Sequence, residues 1–595
     1  MAGEGSSSGR SGLLGLDRKA MEEARLARQA KRNRSISPPA RSPRKAAKLD
    51  EKTVTLESGA QLRMFSTMVE NDQKSRKPEV AKVAIEKMKA EPSTNIKQEP
   101  EPNADSFDPE SLPQGAIKYP NGVVKKTWAF GHERTGHDIK LEEVLEPRSV
   151  KTALLSAFQW DVDWVFSKLN TPLKGGKTKC IFVMQAKGDE ERARMREVAS
   201  ERSSFLRLCL PPMDGLIWCM HSKLMLLFHP EKLRLAIPTA NLLNFDWGET
   251  GQMENSVFMI DLPRLPEKCS AEDLTPFGKS LLYFLDKQGV DDDVKNGVLG
   301  FDFSATAQMA FVHTIGGVHF KDHAQQTGLL GLSKSVRELG FESTRDLEID
   351  FAASSIGSLN EKYLQDLHSA ACGIDSIQQA RDAKSKAGAD FFKPKGKGKK
   401  AEPSTSASKV DVRDKMRIYF PTQETVRSST AGAAGTICLQ RNYFEAKTFP
   451  KECFRDYKST RTGLLSHNKI LLARGSKKTG EQIAWAYVGS ANMSKSAWGE
   501  LPADRTDRKI TCRNWECGVL LPVNVPKAGK KEKLTEIKTE PVEGHEDSET
   551  EDEEEEADGV AGLDVFEASC VLQIPFKVPG SPYNGKEPYY FKEDG

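Results

Sequence analysis

The chain has 595 residues, with 87 Lys+Arg against 85 Asp+Glu and a net charge of only +2. Single cores stop growing at roughly 250 to 300 residues, so this length excludes one ordinary core and predicts two lobes with appended segments. The near-zero balance excludes reading a polyanionic partner from total charge, which leaves local charge to decide. The ten cysteines show no CxxC or Cys/His ligand spacing and no secretory signal precedes them. That pattern predicts free thiols in a reducing compartment, with no structural zinc. The longest apolar runs, such as Leu224 to Phe228, fall far short of the ~20 residues of a bilayer span, so no membrane partner is expected.

In chain order, residues 1–115 are rich in Ser, Pro, Lys, Arg and Glu without a sustained apolar period. Such a segment cannot bury enough surface to offset ordering entropy and is expected to be a disordered tail. Within it Lys31-Arg32-Asn33-Arg34, Arg44-Lys45 and Lys48 surround Ser35-Ile36-Ser37-Pro38 and Ser42-Pro43. The tract is similar to a nuclear-localisation signal with proline-directed phosphorylation sites, and predicts a nuclear protein; a solvated basic tail is the alternative. Ile96-Lys97-Gln98-Glu99 and Ile537-Lys538-Thr539-Glu540 both match the apolar-Lys-x-Glu pattern of SUMO acceptors.

Order is expected from near Ala116. Val150 to Leu169 reads as helical, with Leu154, Leu155, Phe158, Val162, Val165 and Phe166 on one side, and Lys179 to Gln185 as a buried strand. Helical stretches alternating with short apolar strands predict an α/β fold of two similar α-β-α sandwich lobes, 116–340 and 341–595. The second lobe carries two low-complexity insertions, at about 377–410 and 526–559. The first holds Lys393, Lys395, Lys397, Lys399 and Lys400; the second ends in the acidic run Glu549 to Glu556. Phe566 to Phe591 regains aromatic character and is expected to fold back onto the second lobe.

The chemistry lies in an internal repeat. A lone His-x-Lys means little, since on the order of one match arises by chance. Here Met220-His221-Ser222-Lys223 precedes the apolar Leu224 to Phe228, and a second strand ends in Pro238-Thr239-Ala240-Asn241. The later copy reads Ser466-His467-Asn468-Lys469 before Ile470-Leu471-Leu472, and the strand Trp485 to Val488 leads into Gly489-Ser490-Ala491-Asn492. Gln252 to Phe258 can likewise be laid against Asn514 to Leu520, each placing a Glu, Glu254 and Glu516, three residues before a Val. If each motif is a strand, period-two alternation puts His and Lys on one face. Duplicated lobes about a pseudo-two-fold axis would bring both His-Lys pairs and both Asn residues to one seam.

That set suits phosphodiester cleavage. One histidine can attack phosphorus while the other protonates the leaving oxygen and later deprotonates water. Lys223, Lys469, Asn241 and Asn492 can hold the non-bridging oxygens, so neither metal nor cofactor is required. A side chain behind each imidazole, Glu516 for one and Glu254 or Gln252 for the other, would fix its tautomer.

Paired His-x-Lys motifs of this kind resemble the phospholipase D superfamily, and the details resemble its tyrosyl-DNA phosphodiesterase branch. The phospholipid-cleaving members carry Asp five residues after the motif lysine, where Phe228 and Arg474 stand here. Further likeness lies in Ser156-Ala157-Phe158-Gln159 before Asp163-Trp164, Ala240-Asn241-Leu242 before Asp246-Trp247, Ser354-Ser355-Ile356-Gly357-Ser358-Leu359, and Ser490-Ala491-Asn492-Met493-Ser494-Lys495. The resemblance implies a phospholipase D-like fold and makes His221 the nucleophile that forms a phosphohistidine with a DNA 3′ end. It makes His467 the acid and then the base, with Glu516 behind it and Glu254 preferred over Gln252 behind His221. It implies a monomer acting on single-stranded or nicked DNA whose 3′ phosphate carries a topoisomerase I tyrosine or peptide. Ser355, Ser358 and Ser494 would contact the phosphate backbone, or else serve as turn and cap residues. Trp218 would stack on a base, or else be a core aromatic. Another superfamily phosphodiesterase or nuclease, and an inactive DNA-binding scaffold, are the rival functions.

Overall fold

A computed structural model describes residues 112–344, 346–391, 411–432, 436–505, 507–525, 561–568 and 572–591, all within one unit spanning Ser58–Gly595. The basic tract with its Ser-Pro sites, both SUMO-like sites, the Lys393 to Lys400 run and the Glu549 to Glu556 run lie outside the described residues.

Two large sheets organise the chain, and their strand orders match. The first runs Ser256–Pro263, Lys232–Pro238, Leu224–Phe228, Thr152–Ser156, Lys179–Val183, Leu206–Cys209. The second runs Asn514–Val523, Gln482–Gly489, Ile470–Ser476, Glu348–Ala352, Met416–Phe420, Phe454–Asp456. In each, antiparallel strands following the His-x-Lys motif meet a parallel set, so the repeat seen in sequence is a repeat of topology. This is the α/β, phospholipase D-like arrangement that the motifs imply.

Alternation along the strands builds three apolar layers. Leu224 and Leu226 point into a middle core shared with Ile470, Leu472, Ala486 and Val519 of the second sheet. Met225 and Leu227 point outward onto Val165, Phe166 and Phe182. Leu471 and Ala473 point outward on the second sheet, against Leu332, Leu364 and Leu367. Helix Pro276–Gln288 fills part of the middle layer with Phe277, Leu281 and Phe284. Its start is fixed by Thr275, whose hydroxyl accepts from Gly278 N, with Pro276 at the first helical position, and it stops at Gly289 at φ 77°.

Several expectations need correction. Val150 to Leu169 is not one helix: Thr152–Ser156 is a strand, and only Val162–Lys168 is helical. A short run apolar on both faces satisfies a buried central strand as well as a helical stripe, and pairing with Lys179–Val183 and Leu224–Phe228 decides it. The lobe boundary is not at 340, because strand Ala310–Thr314 already pairs with the second sheet through Thr314 and Glu516. The 377–410 segment is helical at its start, within helix Ser376–Phe391. Near the C-terminus, Phe576, Pro582 and Pro588 bridge to Ser459, Arg455 and Thr422.

Phe228 and Arg474, where the lipid enzymes carry Asp, stand five residues along their strands from the motif lysines. Phe228 packs on Phe301, and Arg474 is tied to Asp350 at 2.6 Å and Glu348 at 2.9 Å. A carboxylate at 474 would meet two others, so the strand is built for a cation there.

Candidate active site

Each His-x-Lys motif lies in a break between two strands, not inside one: Cys219–Met220 ends before His221 and Leu224–Phe228 begins after Lys223. Leu465–Ser466 and Ile470–Ser476 flank His467 and Lys469 in the same way. The short flanking strands cross the seam. Cys219–Met220 pairs in parallel with Asn514 and Trp515 of the second lobe, and Leu465–Ser466 pairs in parallel with Met253–Glu254 of the first. His221 N donates to Trp515 O at 2.9 Å, and His467 N to Glu254 O at 3.0 Å. Each histidine backbone is therefore seated by the opposite half.

Both imidazoles, with Asn241 and Asn492, line one open cleft of about 540 Å³. His221 Nδ1 lies 2.8 Å from Glu516 Oε2. A carboxylate can only accept, so Nδ1 carries the proton and Nε2 keeps its lone pair. Glu516 is held in turn by the Ser490 hydroxyl at 2.5 Å and Asn514 Nδ2 at 2.9 Å. His467 Nδ1 lies 3.4 Å from Asp246 Oδ2, within ion-pair reach but unaligned for a hydrogen bond. Asp246 accepts from Asn241 N at 2.7 Å.

The carboxylates are thus exchanged relative to expectation. Glu516 backs His221, not His467, and neither Glu254 nor Gln252 backs His221. Glu254 is buried and bound by Arg461 Nη2 at 3.0 Å and Tyr457 OH at 3.2 Å, while Arg461 reaches Thr127 O at 2.9 Å. It braces the seam from beneath. Gln252 meets the second lobe through its main-chain oxygen, which accepts from Leu465 N.

The asparagines are pinned by their oxygens. Asn241 Oδ1 accepts from Gln159 N at 3.3 Å and Asn492 Oδ1 from Ser355 N at 3.0 Å. Their amide N–H groups are what remains for a ligand, although Asn241 Nδ2 also lies 3.4 Å from Gln159 Oε1. Lys223 and Lys469 sit fully buried beneath the cleft floor, each ammonium on the carbonyl of the histidine two residues before it.

Charge and burial set the protonation states. Burial, followed by the Lys469 ammonium, drives the His467 imidazole down to about 4, against the pull of Asp246. Burial also lowers His221, opposed by Glu516 and reinforced by Lys223 and Lys469. Burial brings Lys223 to about 8 and, with the Lys223 charge, holds Lys469 well below the usual lysine range. Burial alone would raise the Asp246 carboxyl, but His467, the Asn241 N–H and Lys469 outweigh it and hold it low. Two lysines buried beneath one cleft repel, and an anion seated above them relieves that repulsion. Replacing Lys469 by Met removes a charge that lowers His467, so the His467 pKa should rise from about 4 toward 6.5. An NMR titration of the labelled ring reads this, and a value unmoved from about 4 would show burial alone to be responsible.

Ser355, Ser358 and Ser494 line the same cleft. Ser494 also caps helix Lys495–Trp498, accepting from Ala497 N at 3.2 Å. Trp218 is no core aromatic: it is 49% exposed at the cleft rim with the Arg513 guanidinium 4.2 Å over its ring. The sequence motifs include Asp246, Phe158, Gln159 and Ser490 without giving them a role at the site, and Arg513 is not among them. A repeat-based search sees only residues with a counterpart in both halves. Asp246, five residues past Asn241, has Ala497 at the matching distance from Asn492.

A family model described as tyrosyl-DNA phosphodiesterase matches residues 123–584. Tyrosyl-DNA phosphodiesterase 1 of Arabidopsis thaliana is 26% identical over 471 residues, covering 76% of this chain and 70% of the relative. A crystal structure of the yeast tyrosyl-DNA phosphodiesterase aligns over 68% of this chain and 89% of that one, with 19% identity and a TM-score of 0.46.

Proposed function

The chain belongs to the tyrosyl-DNA phosphodiesterase family, and from that premise we propose that it frees a DNA 3′ phosphate from a topoisomerase I tyrosine by two displacements through a phosphohistidine. It is a hydrolase of phosphodiester bonds. The observation that carries the mechanism is the pair of imidazoles on one cleft, each with a carboxylate behind Nδ1.

In the first step His221 Nε2 attacks phosphorus, the bond to the tyrosyl oxygen breaks, and His467 gives its proton to the departing phenolate. In the second, His467 takes a proton from water, the hydroxide attacks phosphorus, and the P–N bond breaks. The hydrogen-bonded Glu516 favours His221 as nucleophile, because it fixes the tautomer and stabilises the cation that alkylation-like phosphorylation of Nε2 creates. His467, held low at about 4 by burial and the lysines, becomes an acid when the substrate phosphate offsets the lysine charge. The asparagine N–H groups and the two buried ammoniums stabilise the equatorial oxygens, so the positive charge comes from side chains rather than an ion.

The basic tract Lys31-Arg32-Asn33-Arg34 supports a nuclear location, and a site completed by two halves of one chain supports a monomer. Purified protein should release tyrosine from a 3′-phosphotyrosyl oligonucleotide at a rate untouched by EDTA, with no turnover of phosphatidylcholine. Loss of the rate with EDTA, restored by a divalent ion, would overturn the lysine-based account.

A further inference from the structure

The two imidazoles are not held alike. His221 has Glu516 hydrogen-bonded at Nδ1, whereas Asp246 is unaligned behind His467, so the direction of the His467 ring has to come from its main chain. The His467 amide donates to Glu254 O at 3.0 Å. Asn468, the residue between His467 and Lys469, is buried and gripped through its side chain, with Nδ2 donating to Ser466 Oγ at 3.0 Å and to Tyr457 OH at 3.3 Å. Tyr457 joins the two anchors. Its hydroxyl, having accepted from Asn468, donates to Glu254 Oε1 at 3.2 Å. Glu254 of the first half thus holds His467 by its main-chain oxygen and Asn468 by its carboxylate, with Tyr457 as the link.

Both ends of that link are fixed. The Glu254 carboxylate accepts from Arg461 Nε at 3.1 Å and Nη2 at 3.0 Å, and the Tyr457 ring packs on Phe576 with 5.0 Å between centroids. Neither Tyr457 nor Glu254 is among the residues lining the cleft. A phenylalanine would fill the same space without carrying a hydroxyl into a buried place, and a buried polar chain bonded at each member restricts geometry more than apolar packing does. Ser222 takes the matching place in the first motif, where Ser156 Oγ at 3.1 Å and Gln288 Nε2 at 3.2 Å grip it from its own half. Behind His467 the grip ends instead on a residue of the opposite half.

We infer that Tyr457 is a positioning residue for His467: by tying Asn468 to Glu254 it holds the motif's main chain so that the imidazole stays aimed at the proton it moves. The inference rests on the two-step reading above and adds what orients the ring that lacks an aligned carboxylate. Because water is the poorer partner without a well-placed base, the step that attacks the phosphohistidine depends most on that aim.

Rapid-quench single-turnover assays on a 3′-phosphotyrosyl oligonucleotide test it, reading tyrosine release and decay of the covalent adduct separately, with thermal melting to verify that each variant is folded. Tyr457→Phe and Asn468→Ala should each slow adduct decay about tenfold, keep tyrosine release within about threefold of wild type, and leave substrate affinity unchanged. The double variant should be no slower than the slower single one, because both remove the same bond. Tyr419→Phe deletes a buried hydroxyl bonded to Asp350 at 2.9 Å rather than to the motif, and as the control for a purely structural loss it should slow neither step. Adduct decay at the wild-type rate in Tyr457→Phe, both steps slowed alike, or the same slowing in Tyr419→Phe would overturn the positioning role. Failure of wild type to release tyrosine would instead overturn the substrate reading.

Discussion

Replacing His221 by Ala should lower turnover of a 3′-phosphotyrosyl oligonucleotide by on the order of 10 000-fold while leaving DNA affinity within a few-fold of wild type. That loss corresponds to about 5 kcal/mol of transition-state stabilisation. In the proposed mechanism the imidazole is half of the covalent bond, and neither nearby nucleophile can take its place: Lys223 is turned onto a main-chain carbonyl beneath the floor and Cys219, its thiol pushed up to about 11, is a poor nucleophile. Binding survives because the asparagines, the serines and Arg513 are untouched. Single-turnover assays beside fluorescence anisotropy separate the two quantities. A variant cleaving within tenfold of wild type would remove His221 from the chemistry.

The second large effect is expected at His467. His467→Asn should accumulate a covalent DNA adduct on His221, visible in the intact mass of protein quenched during turnover. The two steps differ in how much they need the imidazole. A tyrosyl oxygen, with a pKa near ~10, leaves tolerably without a proton donor, whereas water, near ~15.7, attacks poorly without a base. Removing the group slows the second step more, by about 100- to 10 000-fold, and the intermediate outlasts its formation. Asn at 467 retains the main-chain link to Glu254 O, so the seam should hold. An intact mass that never shifts, under conditions where tyrosine is released, would exclude a two-step route.

What could be read from sequence divides along a physical line. The two His-x-Lys motifs and the asparagines repeat, and repetition reports topology, which is why matching strand orders and a shared cleft followed from it. Which carboxylate stands behind which histidine depends on strands that cross the seam, and no local spacing records a crossing. Pairing by analogy within each half put Glu254 behind His221. In the structure Glu254 is register-matched to Ser466, but its side chain descends to Arg461 and Tyr457. Asp246 has no counterpart in the second half, where Ala497 stands at the matching position, so the repeat does not reveal it. Thr152–Ser156 fits a helical stripe in sequence because a run of four residues buried on both faces, Ala153 to Ser156, carries no period of its own. For Trp218 the sequence leaves a stacking residue and a core aromatic equally open, and its exposure with the Arg513 guanidinium over its ring decides against the core.

The exchange of supports across the seam also decides how lesions would present. A substitution at Glu516 lies in the part of the chain that carries His467, yet it frees the His221 ring. A substitution at Asp246 lies in the half that carries His221, yet it disturbs the surroundings of the His467 ring. Sorting inherited or engineered defects by their position along the chain would therefore assign each to the wrong imidazole, and neither half could be swapped for a homologous half without carrying its counterpart's support along.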